Sequence, residues 1–126
     1  AFVTNYAYRT MRRLLPGPYT FVLQASRLVP KIILPKRQTT GIRVPDHPIC
    51  LALVKELGQP IISTSVQTQD GEDLGDPAII NEYFGRTVDL IIDGGTIVPE
   101  PSSVVSLVDD AIEVLRIGKG DVSAFM

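Results

Sequence analysis

A small set of arginines and serines could do chemistry in this sequence. Arg43 lies between apolar neighbours in "TTGIRVPDHP", residues 39–48. Its planar guanidinium can pair with a carboxylate or phosphate through two parallel hydrogen bonds, which a lysine ammonium cannot do. Ser63, Ser102 and Arg116 occur in or at the ends of predicted strands, where α/β proteins often bind ligands. Each also has a structural interpretation, because strand arginines form salt bridges and serines cap turns.

Several kinds of site can be excluded from the sequence. The single histidine, His47, lies between Asp46 and Pro48 and fits a helix cap, so no Ser-His-Asp triad can be assembled. There is no GxGxxG, no Walker loop and no cluster of metal ligands. The single cysteine, Cys50, excludes a disulfide within this chain and favours a reducing, cytoplasmic location. No segment approaches the roughly 18 apolar residues that a membrane span needs.

The charges are distributed very unevenly. Residues 1–45 contain eight bases and no acid, whereas residues 46–126 contain four bases and fourteen acids. A basic segment of this kind suggests an anionic partner, either a nucleotide or a nucleic acid. The alternative is that these bases form solvated faces that the acidic remainder balances after folding.

The elements that must position these residues are helices and strands in partial alternation. Thr4 is a plausible N-cap for an amphipathic helix that buries Ala7, Met11 and Leu14 and ends at Pro16. "YTFVL" and residues 39–44 are predicted strands. "HPICLALVKELG" predicts a helix that Gly58 ends; since it is apolar around most of its circumference, we expect it to be largely buried.

The second half of the chain continues the alternation. "PIIST" and "VDLII" are predicted strands, and Asp76 and Pro77 begin the helix "PAIINEYF" between them. "SVVSLV" and "IEVLRIG" predict an antiparallel pair joined by a turn at Asp109 and Asp110. The chain therefore reads as a single α/β domain over residues 1–126.

The order of several motifs makes a more specific identification possible. The segments "LLPGPYTFVL", "TTGIRVPDHPICLALVKELGQPIISTSV", "VDLIIDGG", "PSSVVSLVDD" and "VLRIGKG" together resemble the YrdC-like threonylcarbamoyl-AMP synthase family, in detail its YciO branch. The resemblance implies an open α/β fold with a twisted, mixed, largely parallel sheet flanked by helices. It also implies that the chain is the C-terminal portion of the domain, with residues before Ala1 and the N-terminal strands missing.

The resemblance also implies a reaction and its ligands. Members of the family condense L-threonine, bicarbonate or CO₂, and ATP, with Mg²⁺, into threonylcarbamoyl-adenylate for N6-threonylcarbamoyladenosine on tRNA. By the resemblance, Arg43, Ser63 and Ser102 would bind L-threonine, and Thr39, Ser65 and Arg116 would bind ATP. No residue is assigned as a catalytic nucleophile or metal ligand, because adenylate formation depends mainly on positioning and on stabilising developing charge.

One loop departs from the family pattern and keeps a second function open. The family's Thr-Ser-Ala-Asn segment reads "TSVQTQDGEDLGDP" here, which brings in Asp70, Glu72 and Asp73. The alternative is a protein of the same fold that binds double-stranded RNA or tRNA through phosphates, with weak or no synthase activity. The candidate phosphate contacts are Arg12, Arg13, Lys36 and Arg37.

Overall fold

The architecture was taken from a computed structural model, which describes residues 1–126 except Leu34 and Arg37. The chain divides into two units, one made of residues 1–51 and 101–126 and the other of residues 52–100. The helices and strands are α1 (Asn5–Leu14), β1 (Tyr19–Gln24), β2 (Thr39–Arg43), α2 (Pro48–Leu57), α3 (Pro77–Phe84), β3 (Ser103–Ser106) and β4 (Glu113–Arg116). None of the described helices is long and apolar enough to cross a bilayer.

Helix α1 forms as its sequence predicts. The Thr4 side chain accepts a hydrogen bond of 3.1 Å from the Ala7 backbone N–H, which satisfies one of the free donors at the start of the helix. The helix ends at Leu14, just before Pro16. Ala7 and Met11 are buried, while the arginines of the last turn are exposed. The helix thus covers the sheet with its apolar face and presents its basic face to solvent.

The first unit contains a four-stranded sheet in the order β2-β1-β3-β4. Strand β1 is antiparallel to β2 and parallel to β3, and β3 is antiparallel to β4. The predicted α/β class with a mixed sheet is confirmed, but only one of these three pairs is parallel. The short turn through Asp109 and Asp110, both with positive φ, makes the β3–β4 pair antiparallel. The parallel β1–β3 pair requires a long crossover, which the intervening chain provides.

The core of the first unit lies on one face of this sheet. Tyr19, Phe21 and Leu23 alternate along β1 and are buried together with Val105 on β3. The Tyr19 and Phe21 rings stack with centroids 5.9 Å apart, and Phe125 meets Phe21 edge-on at 6.4 Å. Because side chains alternate between the two faces of a strand, the residues between these three point to the opposite face.

Residues 48–100 differ from the sequence predictions in two respects. "PIIST" and "VDLII" are not assigned as strands, and all four paired strands of the described residues belong to the first unit. Helix α2, expected to be largely buried, has no buried residue, and Leu57 is 54% exposed. Apolar content shows that a segment can pack, whereas pairing and burial also require a partner layer, and the described residues supply none for these segments.

Candidate active site

The register of the sheet places two of the predicted ligand residues in one row. Arg43 on β2 is directly opposite Thr20 on β1, Thr20 is opposite Val104 on β3, and Val104 is opposite Arg116 on β4. Directly opposed residues project from the same face of a sheet. Since neighbouring strands lie about 4.8 Å apart, the row extends for about 14 Å across three strand spacings. Arg43 and Arg116 therefore lie at the two ends of one row, on the face opposite the core.

Strand β2 contributes a third predicted residue to this face. Thr39 is opposite Gln24 and lies four residues before Arg43, so both point the same way. Gly41 lies between them, and a Cβ atom built on it would come within 3.0 Å of the Thr20 Cγ2 methyl. Because Gly41 has no side chain, nothing projects from β2 between Thr39 and Arg43 on this face of the sheet.

Ser102 and Arg116 are joined by two hydrogen bonds. The Nε of Arg116 donates to the Ser102 carbonyl at 2.9 Å, and its Nη2 donates to the Ser102 Oγ at 3.1 Å. The Ser102 Oγ also lies 2.7 Å from the Thr20 Oγ1. Ser102 is only 3% exposed, whereas Arg116 is exposed. Ser102 therefore contacts Arg116 and Thr20 directly, and it is Arg116 that faces solvent.

A β-bulge aims Arg116 at this face. Val105 is opposite Val114 on the core side, but the register shifts between Val104 and Val105, so that Val104 is opposite Arg116. A regular ladder would have placed Leu115 opposite Val104 instead. The extra residue in β4 thus turns the guanidinium toward the site, which is a known use of bulges.

The segment after β4 holds Ser102 in place. A Cβ atom at Gly118 would come within 2.4 Å of the Pro101 carbonyl oxygen and 2.5 Å of the Ser102 carbonyl oxygen, so only glycine fits this approach. Ser103, the residue after Ser102, is fully buried, donates to the Gly120 carbonyl at 2.6 Å and accepts from the Gly118 N–H at 3.0 Å. Ser103 therefore has a structural role in closing this loop.

Ser63 and Ser65 belong to the second unit. Both are exposed, in the segment that precedes an isolated bridge between Gln67 and Asp73. Within this loop the Gln67 side chain donates to the Asp73 carboxylate at 2.7 Å. One of the three acids that distinguish the loop, Asp73, is therefore hydrogen-bonded within the loop.

The candidate phosphate contacts lie elsewhere on the first unit. Arg12 and Arg13 are exposed in the last turn of α1, and Lys36 is exposed in a turn before β2. Arg37 lies outside the described residues. These positions are open to a partner, but they are on different elements from the row of Arg43 and Arg116.

Sequence reasoning missed Thr20. It is the polar residue inside the apolar run "YTFVL", and it lies between the core residues Tyr19 and Phe21. Threonine has a high strand propensity, so its presence in a strand calls for no functional explanation. The sequence did contain one signal. Because side chains alternate between the two faces of a strand, a polar residue between two buried aromatic residues must lie on the face opposite the core.

The carboxyl group of Asp121 has a lowered pKa. Hydrogen bonds from the backbone and then from the side chain of Ser123 hold the pKa of Asp121 below its usual 3.8. Asp121 lies after β4, and its carbonyl accepts a hydrogen bond from the Tyr19 hydroxyl at 3.0 Å. The described residues contain no group of three or more His, Cys, Asp or Glu side chains arranged to hold a metal ion.

Comparison with known proteins extends these observations. YciO of Escherichia coli (strain K12) is 43% identical over 128 residues, which cover all of this chain and 62% of that protein. The crystal structure of E. coli YciO superposes with a TM-score of 0.90. The structure of P. abyssi Sua5 complexed with L-threonine gives a TM-score of 0.77 at 30% identity, covering 94% of this chain and 35% of that one.

A more distant relative carries the name of an enzyme. The threonylcarbamoyl-AMP synthase of Halorhodospira halophila is 33% identical over 85 residues, which cover 68% of this chain and 44% of that protein. The chain thus spans less than two thirds of the length of these relatives. Residues 1–118 match the Sua5/YciO/YrdC family model, which is described as "Telomere recombination". With this match and the agreement in fold, the chain belongs to the Sua5/YciO/YrdC family.

Proposed function

We propose that the protein forms threonylcarbamoyl-adenylate from L-threonine, bicarbonate or CO₂, and ATP, for the N6-threonylcarbamoyladenosine modification of tRNA. The observation that carries the proposal is the placement of Arg43 and Arg116 in one row on the sheet face opposite the core. Support also comes from the relative named threonylcarbamoyl-AMP synthase and from the Sua5 structure complexed with L-threonine.

The two arginines suit the two charged substrates. Arg43 is exposed at the end of β2, where its guanidinium can pair with the carboxylate of L-threonine. Arg116 uses its Nε and Nη2 groups on Ser102, so its outer Nη1–Nη2 edge can bind the nucleotide. The family resemblance also assigns Ser63 to L-threonine and Ser65 to ATP; both belong to the second unit.

The proposed contacts for the two substrates alternate across the sheet. Thr39, for the nucleotide, lies on the same strand as Arg43, for threonine. Ser102, which the family resemblance assigns to threonine, is 3% exposed and hydrogen-bonded to Arg116, for the nucleotide, so it would act on a ligand mainly through Arg116. Two substrates held by interleaved contacts are held close together. Such proximity can supply a large part of the rate enhancement for joining them, without a nucleophile from the protein.

The reaction that these contacts would serve has two bond-forming steps. The neutral amine of L-threonine first bonds to the carbon of CO₂, which bicarbonate supplies by taking up a proton and losing water. One C=O π bond becomes the C–O⁻ of the carbamate, and the nitrogen loses a proton to solvent. A carbamate oxygen then attacks the α-phosphorus of ATP, and the bond from that phosphorus to the bridging oxygen breaks to release pyrophosphate. Mg²⁺ would enter with ATP and neutralise part of the phosphate charge. The arginines would offset the negative charge of both substrates.

The proposal is tested by pyrophosphate release from the full-length protein. We expect release to require L-threonine, bicarbonate and ATP together, with threonylcarbamoyl-adenylate as the second product. Omitting each substrate in turn is the first control, and L-serine in place of L-threonine is the second. Pyrophosphate release that is independent of threonine, or no release with all three substrates present, would refute the proposed function.

A second candidate function is binding of double-stranded RNA or tRNA. The observation that favours it is the exposed basic face of α1, which includes Arg12 and Arg13, in a segment of residues 1–45 that has eight bases and no acid. Binding of this kind depends on phosphates and weakens steeply with salt. Titration of the protein with tRNA at two salt concentrations tests it. Affinity that is absent at low salt would rule it out.

A further inference from the structure

We propose that Thr20 is a positioning residue, which acts through Ser102 to hold Arg116 with its outer guanidinium edge available to an anionic ligand. The naming of that ligand as the nucleotide rests on the proposed function; the positioning role does not. The inference comes from three side chains on three adjacent strands or their ends, joined by hydrogen bonds of 2.7 to 3.1 Å.

Ser102 occupies one edge of the Arg116 guanidinium. The Nε and Nη2 groups lie on one side of the planar guanidinium, and both donate to Ser102, one to its carbonyl and one to its hydroxyl. The Nη1–Nη2 edge is left to form the paired hydrogen bonds that carboxylate and phosphate accept. A long, flexible side chain is thereby fixed before the ligand arrives, so less conformational freedom is lost on binding.

The direction of the Ser102 hydroxyl is fixed by its hydrogen bonds to Arg116 and Thr20. A serine hydroxyl rotates freely unless its bonds define its direction, and it can donate one hydrogen bond and accept two. Arg116 donates to the Ser102 Oγ, so the Ser102 proton can be given to the Thr20 Oγ1, which lies 2.7 Å away. Either hydroxyl of this pair can be the donor. When Ser102 donates, electron density moves toward its oxygen and strengthens the bond that it accepts from Arg116; when Thr20 donates, the same contact still fixes the direction of the Ser102 hydroxyl. Since Ser102 is 3% exposed, it acts on a ligand mainly through Arg116.

The surroundings of Thr20 suit it to position Ser102. It lies on β1, which is paired on both sides, between the buried Tyr19 and Phe21. Its Cγ2 methyl lies toward Gly41 on β2, where a Cβ would approach it to 3.0 Å, and its Oγ1 lies toward Ser102. A β-branched side chain has few accessible χ1 angles. Thr20 thus gives the hydrogen-bonded series a rigid base.

The test uses two changes at position 20 and one matched control. Thr20→Val keeps the shape and the methyl group but removes the hydroxyl, whereas Thr20→Ser keeps the hydroxyl. Thr40→Val makes the same chemical change on β2, at a residue opposite Leu23 and thus on the core face. Ser102→Ala and the double variant Thr20→Val/Ser102→Ala show whether Thr20 acts through Ser102.

Two readouts are needed, one of which requires no ligand. In the ligand-free, full-length protein, NMR at low pH and low temperature measures hydrogen exchange of the Arg116 Nη–H protons, because it is Nη2 that donates to the Ser102 hydroxyl. We expect Thr20→Val to speed this exchange roughly threefold to tenfold, as for the loss of one hydrogen bond. Calorimetric titration with ATP should show an affinity loss of roughly the same factor. Thr40→Val should match the wild type in both. Thr20→Ser should lie closer to the wild type than Thr20→Val does, because it keeps the hydroxyl and loses only the branched methyl. The double variant should match Ser102→Ala.

Each outcome decides a separate point. Unchanged Arg116 exchange in Thr20→Val would overturn the positioning role, whatever the ligand. Faster exchange with unchanged ATP affinity, in a protein that binds ATP, would overturn the role in binding. Faster exchange in a protein that binds no ATP would leave the positioning role standing and refute the proposed function. If Thr20→Val fails to fold, Thr20→Ala, which also removes the hydroxyl, takes its place. Wild-type exchange in Thr20→Ala or in Ser102→Ala would overturn the proposal.

Discussion

Replacement of Arg43 by alanine is the most direct test of the proposed threonine site. Arg43 is the last residue of β2, and its side chain is exposed on the face opposite the core. Truncation at such a position opens no cavity, and surface changes of this kind alter the free energy of unfolding by about 0.5 kcal/mol or less. A change in ligand affinity would therefore report a lost contact and not a damaged fold.

The size of the effect follows from the kind of bond. Hydrogen bonds to charged groups contribute about 1.5 to 3 kcal/mol, and a difference of about 1.4 kcal/mol changes an equilibrium constant tenfold. Because Arg43 is exposed, water screens its interaction, which favours the lower part of this range. We expect Arg43→Ala to weaken L-threonine binding by about 10-fold to 50-fold. Arg43→Lys keeps the charge but loses the planar guanidinium, so its affinity for L-threonine should lie between those of the wild type and Arg43→Ala.

The assay is calorimetric titration of the full-length protein with L-threonine, with and without ATP. Arg9→Ala is the matched control, because it removes the same charge from an exposed position on α1. Thermal unfolding of each variant checks the fold. Equal threonine affinity in Arg43→Ala and wild type, with equal thermal midpoints, would show that Arg43 does not bind the threonine carboxylate. An equal loss in Arg9→Ala would mean that the effect is one of net charge alone.

Three further predictions concern other parts of the first unit. Gly120→Ala should destabilise the protein by about 1 to 3 kcal/mol in urea unfolding, because the new methyl group would come within 2.5 to 2.8 Å of the Tyr19 ring; an unchanged midpoint would contradict this packing. Hydrogen bonds to Asp121 lower its pKa, so their contribution to stability is complete above its usual pKa of 3.8 and is lost as the pH falls through the lowered value. Asp121→Asn should therefore flatten the acid limb of a plot of stability against pH, and an identical limb in both proteins would assign acid unfolding to other groups. Removing Arg12, Arg13 and Lys36 together should reduce the slope of log affinity for tRNA against log salt by up to about 3, and an unchanged slope would place any RNA site elsewhere.

The parts of the fold that could be predicted from the sequence are those fixed by nearby residues. The start of α1 follows from Thr4, whose side chain caps the Ala7 N–H, and the start of α3 follows from Asp76, which caps Ala78 in the same way. The β3–β4 hairpin follows from the two aspartates of its turn. Each of these depends on contacts within a few residues, so local chemistry is sufficient to specify it.

The wrong predictions concern segments whose state depends on distant partners. "VDLII" has the continuous apolar character of a strand covered on both faces, yet Leu90 is 77% exposed and the segment is not part of a ladder. The same holds for α2, whose all-round apolar surface predicted burial. The composition of such a segment indicates that burying it stabilises the fold, but it does not indicate which other residues bury it.

The candidate site shows the same limit at the level of single side chains. That Arg116 lies in a strand could be predicted, but its face could not, since the register shift between Val104 and Val105 decides whether Arg116 or Leu115 shares a face with Thr20. A slip of one residue reverses every side chain of a strand. The row from Arg43 to Arg116 is therefore a property of three strand pairings at once. This is why a polar residue such as Thr20, unremarkable within its own strand, acquires a functional interpretation only when its neighbours on the adjacent strands are known.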